Sequence, residues 1–276
     1  MKGENVILEI HIDFMDTENL YNNLVGILGI SKEEIDNFID KYNEKDFYDR
    51  ERITFNFLNE QFNFVIPEIS ISDITISFYH VTTNNNECKE ILEHGLRDLQ
   101  YVCTENTQFK RFINEHGIEI DISNNIIKHN DNVINYIPDY KFYSRFENEN
   151  RPEGHLIFKL YKDQIVWGFR EFKSLERYSC IHLYPEFLNN LYNAFKAPDL
   201  LSDWLEENNK AYLIKANVLL EKVDLCTFET VEEEVVLRLI ELLFCRLIEG
   251  SPSESILLLK EGHFINPNEI SEINEI

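Results

Sequence analysis

Side chains that can do chemistry first come together in Tyr79-His-Val-Thr-Thr83, where a histidine is followed by two hydroxyl residues. The preceding run, Ile74–Tyr79, is β-branched and aromatic, as expected of a largely buried strand. The three asparagines that follow can cap a helix, and apolar residues recur at helical spacing from Cys88. Gly95 suits the position after a helix, where a positive φ is needed. We therefore predict a strand, a polar tip and a short helix, with His80 presented where the strand ends, a common place for ligand contacts.

This unit resembles the opening element of the ADP-ribosyltransferase superfamily, the NAD-using transferases related to diphtheria toxin and poly(ADP-ribose) polymerases. In the type whose motif residues are His, Tyr and Glu, an aromatic-His-[Gly/Val]-Thr strand end precedes a helix that closes in Ile-Leu-x-x-Gly-Leu. The matching residues here are Tyr79–Thr82 and Ile91–Leu96. The resemblance implies that His80 contacts a ribose of NAD, with Thr82 in support. The alternative is that His80 is a solvated residue, or one at the edge of the core, and binds no ligand.

A run of carboxylates, Glu232-Glu-Glu234, follows a long apolar segment, Ala211–Leu225, that predicts a strand. The superfamily carries its catalytic glutamate directly before a late strand, often as Glu-x-Glu-Val, so the resemblance implies Glu234 as the catalytic residue and Glu232 in support. A carboxylate bonded to the ribose can stabilise the positive charge that develops when the nicotinamide bond breaks. The alternative is a helix that begins at Glu232, because acidic residues are favoured in a first turn.

The superfamily also uses an aromatic residue that stacks on nicotinamide, and two tyrosines are candidates for this role. Tyr101 lies in Leu99–Thr104, which predicts a second strand, ahead of a helix over residues 106–115. Tyr143 lies in Lys141–Phe146. Most aromatic residues belong to a core, and the chain lacks the family's Gly-x-Gly-x-Tyr-Phe pattern after Gly95, so the residues leave the choice open.

Composition narrows the class of protein. With 26 Lys and Arg against 50 Asp and Glu, the net charge of −24 opposes ordinary nucleic-acid binding. An acidic protein that mimics DNA, or otherwise inhibits a basic partner, is the alternative to an enzyme. The five cysteines are scattered without a C-x-x-C pair, which argues for reduced thiols and against a disulfide framework or a metal site. The first residues lack the apolar core of a signal peptide, and no run is long enough to cross a bilayer, so we expect a cytoplasmic protein without membrane contact.

Other chemistries have weaker support. The sequence contains no G-x-x-x-x-G-K-[ST], G-x-G-x-x-G or H-E-x-x-H motif, which argues against phosphate-cradling nucleotide folds and zinc proteases. Cys180 and His182 would share one face of a strand, but an incidental pair is the simpler interpretation.

Three regions follow from the pattern of elements. Residues 1–70 form a small N-terminal α/β extension, residues 71–248 the catalytic domain and residues 249–276 a C-terminal tail. The extension begins with a strand over Val6–Phe14 and continues with helices over Asn19–Leu28 and Lys32–Tyr42. The second region has a hairpin over residues 118–129, strands over His155–Tyr161 and 165–169, and helices over residues 184–195 and 200–207.

These observations give one prediction of fold and function. The fold class is α+β, with a split antiparallel ADP-ribosyltransferase-like sheet and flanking helices. The resemblance implies NAD as substrate and transfer of ADP-ribose to a macromolecule, a protein rather than a nucleic acid, or hydrolysis of NAD. A toxin or a phage-defence effector is the setting that the family suggests.

Overall fold

The computed structural model describes residues 10–45, 51–65, 68–143, 151–175, 180–207 and 209–276. They form a mixture of helices and strands with an antiparallel sheet and flanking helices, so the coarse α+β prediction is confirmed. The helices are α1 (Thr17–Leu28), α2 (Lys32–Asn43), α3 (Phe55–Phe62), α4 (Lys89–His94), α5 (Leu99–Thr104), α6 (Gln108–Glu115), α7 (Tyr136–Tyr143), α8 (Pro152–Tyr161), α9 (Glu186–Phe195), α10 (Leu200–Glu206) and α11 (Val235–Glu249).

The strands form two sheets. They are β1 (Ile10–Ile12), β2 (Ile74–Asn84), β3 (Ile118–Asp121), β4 (Ile126–His129), β5 (Asn132–Asn135), β6 (Trp167–Glu171), β7 (Lys210–Leu219), β8 (Ser255–Leu258) and β9 (Ile270–Glu275). The larger sheet has the order β8-β6-β2-β7-β9, and β1 pairs in parallel with the start of β2. The smaller sheet has the order β3-β4-β5 and contains the predicted hairpin.

The chain divides into two compact units, each assembled from three segments. Unit 1 comprises Met1–Tyr79, Gly168–Lys173 and Asn217–Leu258. Unit 2 comprises His80–Trp167, Ser174–Ala216 and Leu259–Ile276. Strands β2, β6 and β7 each contribute residues to both units. The functional division predicted from the sequence, at residues 70 and 248, stays a prediction.

In unit 1, the long apolar helix α11 packs against α1, α2 and α3. The two predicted N-terminal helices are confirmed, and local capping explains where they begin. Asp16 accepts hydrogen bonds from the first-turn amides of α1. Ser31 and Glu34 form a reciprocal capping box at the start of α2. The first residues of the predicted Val6–Phe14 strand lie outside the described residues; of the rest, Ile10–Ile12 form β1, and the strand ends two residues before Phe14.

In unit 2, the core lies among α5, α6, α8, α9, α10 and the small sheet. Trp204 of α10 is almost fully buried at its centre, with its ring edge-on to Phe112. The predicted helices near residues 106–115, 184–195 and 200–207 are confirmed as α6, α9 and α10.

Two predicted strands are wrong. Leu99–Thr104 is helix α5, because Asp98 accepts a hydrogen bond from the Tyr101 amide and so caps a helical turn. His155–Tyr161 belongs to helix α8, which begins at Pro152, a residue suited to a first helical position. Both runs are short and apolar, and such runs fit a strand or a buried helix equally well.

Three further differences concern single segments. Strand β2 continues to Asn84, five residues past the predicted end. Cys180 and His182 lie in a turn, so the shared strand face considered for them does not exist. Strands β8 and β9, which the sequence did not predict, lie in the segment expected to be a tail.

Candidate functional site

A cavity of about 690 Å³ lies in unit 2, and every residue that lines it belongs to that unit. We call it the His80 cavity. Its lining comes from the second half of β2, from α4 and α5, from the start of α6, from the end of α8 and the segment that joins it to β6, from the start of α9, and from Trp204 of α10. This volume falls within the usual range for small-molecule sites.

Strand β2 positions His80 and Thr82 by its alternation. Both side chains are half-buried, whereas Val81 and Thr83, at the alternate positions, are buried. The buried Thr83 hydroxyl accepts a hydrogen bond from the indole of Trp204 at 3.2 Å, which fixes this part of the strand. The prediction that His80 lies at the strand tip is therefore wrong, because β2 continues four residues beyond it.

The ring of His80 has a defined tautomer. Its Nδ1 lies 2.7 Å from the carbonyl oxygen of Trp167, and a carbonyl can only accept, so Nδ1 carries the hydrogen. Burial lowers the pKa of His80 from its ordinary value of 6.5, although the bond to Trp167 opposes this shift. The neutral ring thus offers Nε2 as an acceptor, and Nε2 bonds to none of the residues that the structure describes.

Trp167 connects His80 to a group of charged side chains. Its indole Nε1 donates to Asp163 at 2.5 Å, and Asp163 also pairs with Lys159 at 2.8 Å. Lys159 reaches Glu186 at 3.1 Å. Burial opposes the charge of Lys159, but the hydrogen bonds and charges of the two carboxylates outweigh it and raise the pKa of the amine. Trp167 is 39% exposed, and the amine of Lys159 lies over its ring at 5.1 Å from the ring centre.

The segment between β2 and α4 is held by Asn84. Its side-chain oxygen accepts from the amide of Cys88 at 2.9 Å, and Cys88 has a positive φ of 59° immediately before the helix. The expected asparagine N-cap is therefore wrong, because Asn84 bonds to the residue at the cap and Cys88 occupies the cap itself. Glu90 of α4 in turn accepts two hydrogen bonds from the amide of Gln108, which joins α4 to the start of α6.

Gly95 closes α4 as predicted, and the structure gives a second reason for glycine. Its φ is +81°, which few other residues adopt. A Cβ at this position would lie 2.1 Å from the carbonyl oxygen of Ile265. The next residue, the buried Leu96, exchanges both backbone hydrogen bonds with Ile265, at 2.9 and 3.1 Å. Backbone pairing with the distant residue Ile265 thus fixes the chain directly after helix α4, beside the cavity.

The two candidate tyrosines differ in position. Tyr101 lines the His80 cavity from α5, and the guanidinium of Arg97 lies 4.9 Å from its ring centre. Tyr143 is half-buried at the end of α7 and is absent from the cavity lining. Trp167, a third aromatic residue of the same lining, is exposed, whereas Tyr101 is half-buried.

The two candidate glutamates lie elsewhere in the chain. Glu232 and Glu234 are exposed, in a 3-10 turn that leads into α11, and they belong to unit 1. The helix that was the alternative prediction for this segment is confirmed. Neither glutamate is among the residues that line the His80 cavity. The structure therefore groups His80, Thr82 and Tyr101 in one cavity, without Tyr143, Glu232 or Glu234.

Sequence reasoning missed Lys159, Asp163 and Trp167. These residues follow each other at intervals of four, a spacing that places ion-pair partners together on a helix. Lys159 and Asp163 use this spacing at the end of α8. The spacing of four is visible in the sequence, but it indicates a contact only on a helix, and residues 155–161 were predicted to form a strand.

Comparison with protein-family models, with curated proteins and with solved structures finds no match. In the described part of the chain, no three His, Cys, Asp or Glu side chains are grouped so as to hold a metal ion. Among the helices described, none has the length and apolar character required to cross a membrane.

Proposed function

We propose that the chain binds NAD in the His80 cavity and transfers its ADP-ribose to a macromolecule, a protein rather than a nucleic acid, or to water. The observation that carries the proposal is the oriented ring of His80 in the lining of a cavity of ligand size, with an Nε2 that bonds to none of the residues the structure describes. The type of reaction, cleavage of NAD with transfer of ADP-ribose, is inferred from the sequence resemblance. A role as a toxin or a phage-defence effector would follow from that resemblance.

The chemistry of the cavity suits the parts of NAD. Nε2 of His80 can accept a hydrogen bond from a ribose hydroxyl, and the hydroxyl of Thr82, two residues along the same strand face, can contact the same sugar. The partly exposed indole of Trp167 offers an aromatic surface for nicotinamide, with Tyr101 as the second candidate. The ribose and the nicotinamide ring would thus each meet a suitable group.

The reaction needs a carboxylate where the positive charge develops on the ribose. The resemblance assigns this role to Glu234, with Glu232 in support. Within the cavity lining, Glu186 is the alternative, because its carboxylate is 57% exposed and pairs with a single amine, that of Lys159. Asp163 is a weaker alternative, since it is buried and holds both Lys159 and Trp167.

The proposal is tested with the purified chain and NAD labelled in either the nicotinamide or the adenylate part. Release of labelled nicotinamide measures bond cleavage, and adenylate label on added protein or nucleic acid measures transfer. We expect cleavage by the wild type and its loss in His80→Ala. His155→Ala is the matched control, because His155 is exposed on α8 and does not line the cavity. Wild-type protein that neither binds nor cleaves NAD would refute the proposal.

A further inference from the structure

A second cavity, of about 300 Å³, lies in unit 1 and is lined by four arginines. We call it the arginine cavity, and its arginines are Arg52, Arg170, Arg238 and Arg246. The chain carries nearly twice as many acidic as basic residues, so composition alone would not gather four guanidiniums around one space. The function proposed above does not use them.

Two of these arginines are buried and share one carboxylate. The side chains of Arg170 and Arg246 are 9% and 4% exposed. Glu171 accepts from Arg170 at 3.0 Å and lies 3.2 Å from Nε of Arg246. The same carboxylate also accepts from the amide and hydroxyl of Ser253. One buried negative charge therefore serves two buried positive charges, which is unfavourable unless another anion is present.

The remaining carboxylates near the cavity do not remove the imbalance. Arg238 pairs with Glu241 at 2.9 Å, and Glu249 lines the cavity from the exposed end of α11. Glu229 approaches Arg238 only to 3.8 Å and is 81% exposed, so its contribution is small. Among the described residues, Arg52 forms no ion pair. With Glu171, four carboxylates approach the four guanidiniums, but Glu229 and Glu249 are exposed, so Glu171 and Glu241 are the two that compensate charge away from solvent.

Two buried hydrogen-bond donors of these arginines also lack an acceptor among the described residues. Nε of Arg170 and Nη1 of Arg246 are buried, and neither has a hydrogen-bond partner in the described part of the chain. Buried donors without partners are rare in native proteins and call for an acceptor such as water or an ion. The thiol of Cys245, which also lines the cavity, cannot serve as the anion, because burial raises its pKa to about 11.

We propose that the arginine cavity binds a phosphate group, either free or carried by a small molecule. The planar guanidinium matches the oxygens of a phosphate through paired hydrogen bonds, and it stays charged where it is buried. A volume of 300 Å³ accommodates a phosphate with a small organic part. The arginine cavity lies in unit 1 and shares no residue with the His80 cavity of unit 2. A failure of phosphate binding would therefore not argue against NAD binding, and the reverse is also true.

The test is calorimetric titration of the full chain with glycerol 3-phosphate and with inorganic phosphate, at constant ionic strength set with sodium chloride. We expect saturable binding by the wild type. Arg52→Gln should weaken it about tenfold, the usual effect of losing a hydrogen bond to a charged group. Arg52 is exposed and unpaired among the described residues, so this variant should fold normally. Arg151→Gln, an exposed arginine of unit 2 that lines neither cavity, should bind like the wild type.

A second variant should change the affinity for phosphate in the opposite direction. Glu249→Gln removes a negative charge from the lining and should strengthen binding, which general damage to the fold would not do. Tighter binding of glycerol 3-phosphate than of phosphate would identify an organic phosphate ester, and the reverse order would identify the free ion. Absence of saturable binding to the wild type, or equal affinities for wild type, Arg52→Gln and Glu249→Gln, would overturn the proposal.

Discussion

The hydrogen bond from His80 to the Trp167 carbonyl determines which nitrogen of the ring is available to a ligand. As long as the ring is neutral, Nε2 is an acceptor, and protonation turns it into a donor. Because burial lowers the pKa of His80, the neutral form persists to a pH below the ordinary value of 6.5. If NAD binds in the His80 cavity as proposed, the pH at which this binding is lost reports on His80.

We expect His80→Ala to raise KM for NAD and to lower kcat, because a contact to the ribose both holds the substrate and orients the bond that breaks. In the wild type, kcat/KM should fall on the acid side only below about pH 6.5, the ordinary histidine pKa. Rates of nicotinamide release measured between pH 5 and 8 test both points. Wild-type kinetics in His80→Ala would assign the strand motif to the fold alone.

Glu234 gives a sharper choice between two roles. The resemblance expects Glu234→Gln to slow nicotinamide release by roughly 10²–10³, the effect of removing one charge that stabilises a transition state. If Glu234 serves only as an acidic residue before α11, the rate should stay at the wild-type value. In that event Glu186→Gln, which changes a residue of the cavity lining, becomes the variant expected to lose activity.

At the scale of elements, the end of α4 offers a matched pair of glycine substitutions. Gly95→Ala should destabilise the chain by more than about 1–2 kcal/mol, the cost of a left-handed backbone alone, because its Cβ would also meet the Ile265 carbonyl. Gly26→Ala should stabilise α1 by about 0.5–1 kcal/mol, since Gly26 lies inside the helix with open space around it. Denaturant unfolding of both variants tests the pair. A Gly95→Ala variant as stable as the wild type would contradict the close approach.

Local signals explain how far the elements could be predicted. Caps and spacing gave α1, α2 and α6, because Ser31 with Glu34 and similar pairs act within a few residues. They failed for α5 and α8, where a short apolar run carries no period of its own. They also failed for the end of β2, because its polar residues stay in the strand through pairing with distant parts of the chain.

The candidate site shows the same limit. The motif around His80 was visible because it is contiguous, and Gly95 was correctly predicted to have a positive φ. The sequence does not identify Trp167 as a site residue, because it contacts His80 through a hydrogen bond between residues 87 apart in the chain. Such a contact follows from tertiary packing, which a single sequence does not display.

At the scale of the whole molecule, binding of NAD should appear as thermal stabilisation. A ligand that binds only the native state stabilises it by about 2.7 kcal/mol at a concentration one hundred times its Kd. We expect a rise in Tm with NAD for the wild type and a smaller rise for His80→Ala. Thermal unfolding followed at several NAD concentrations measures both.

The alternative of an acidic interaction protein makes the opposite prediction. With a net charge of −24, such a protein would bind a basic partner with an affinity that falls steeply as salt rises. An unchanged Tm with NAD, together with salt-sensitive binding to a purified DNA-binding protein, would favour this alternative over the enzyme.

The pairing of Leu96 with Ile265 has a consequence for biosynthesis. At roughly 5–20 residues per second, the ribosome makes Ile265 about ten to thirty seconds after Gly95. Until then, the helix beside the His80 cavity lacks the backbone partner that seals its end. A nascent chain that already contains the His80 motif therefore cannot yet form the Leu96–Ile265 pairing that completes this wall of the cavity.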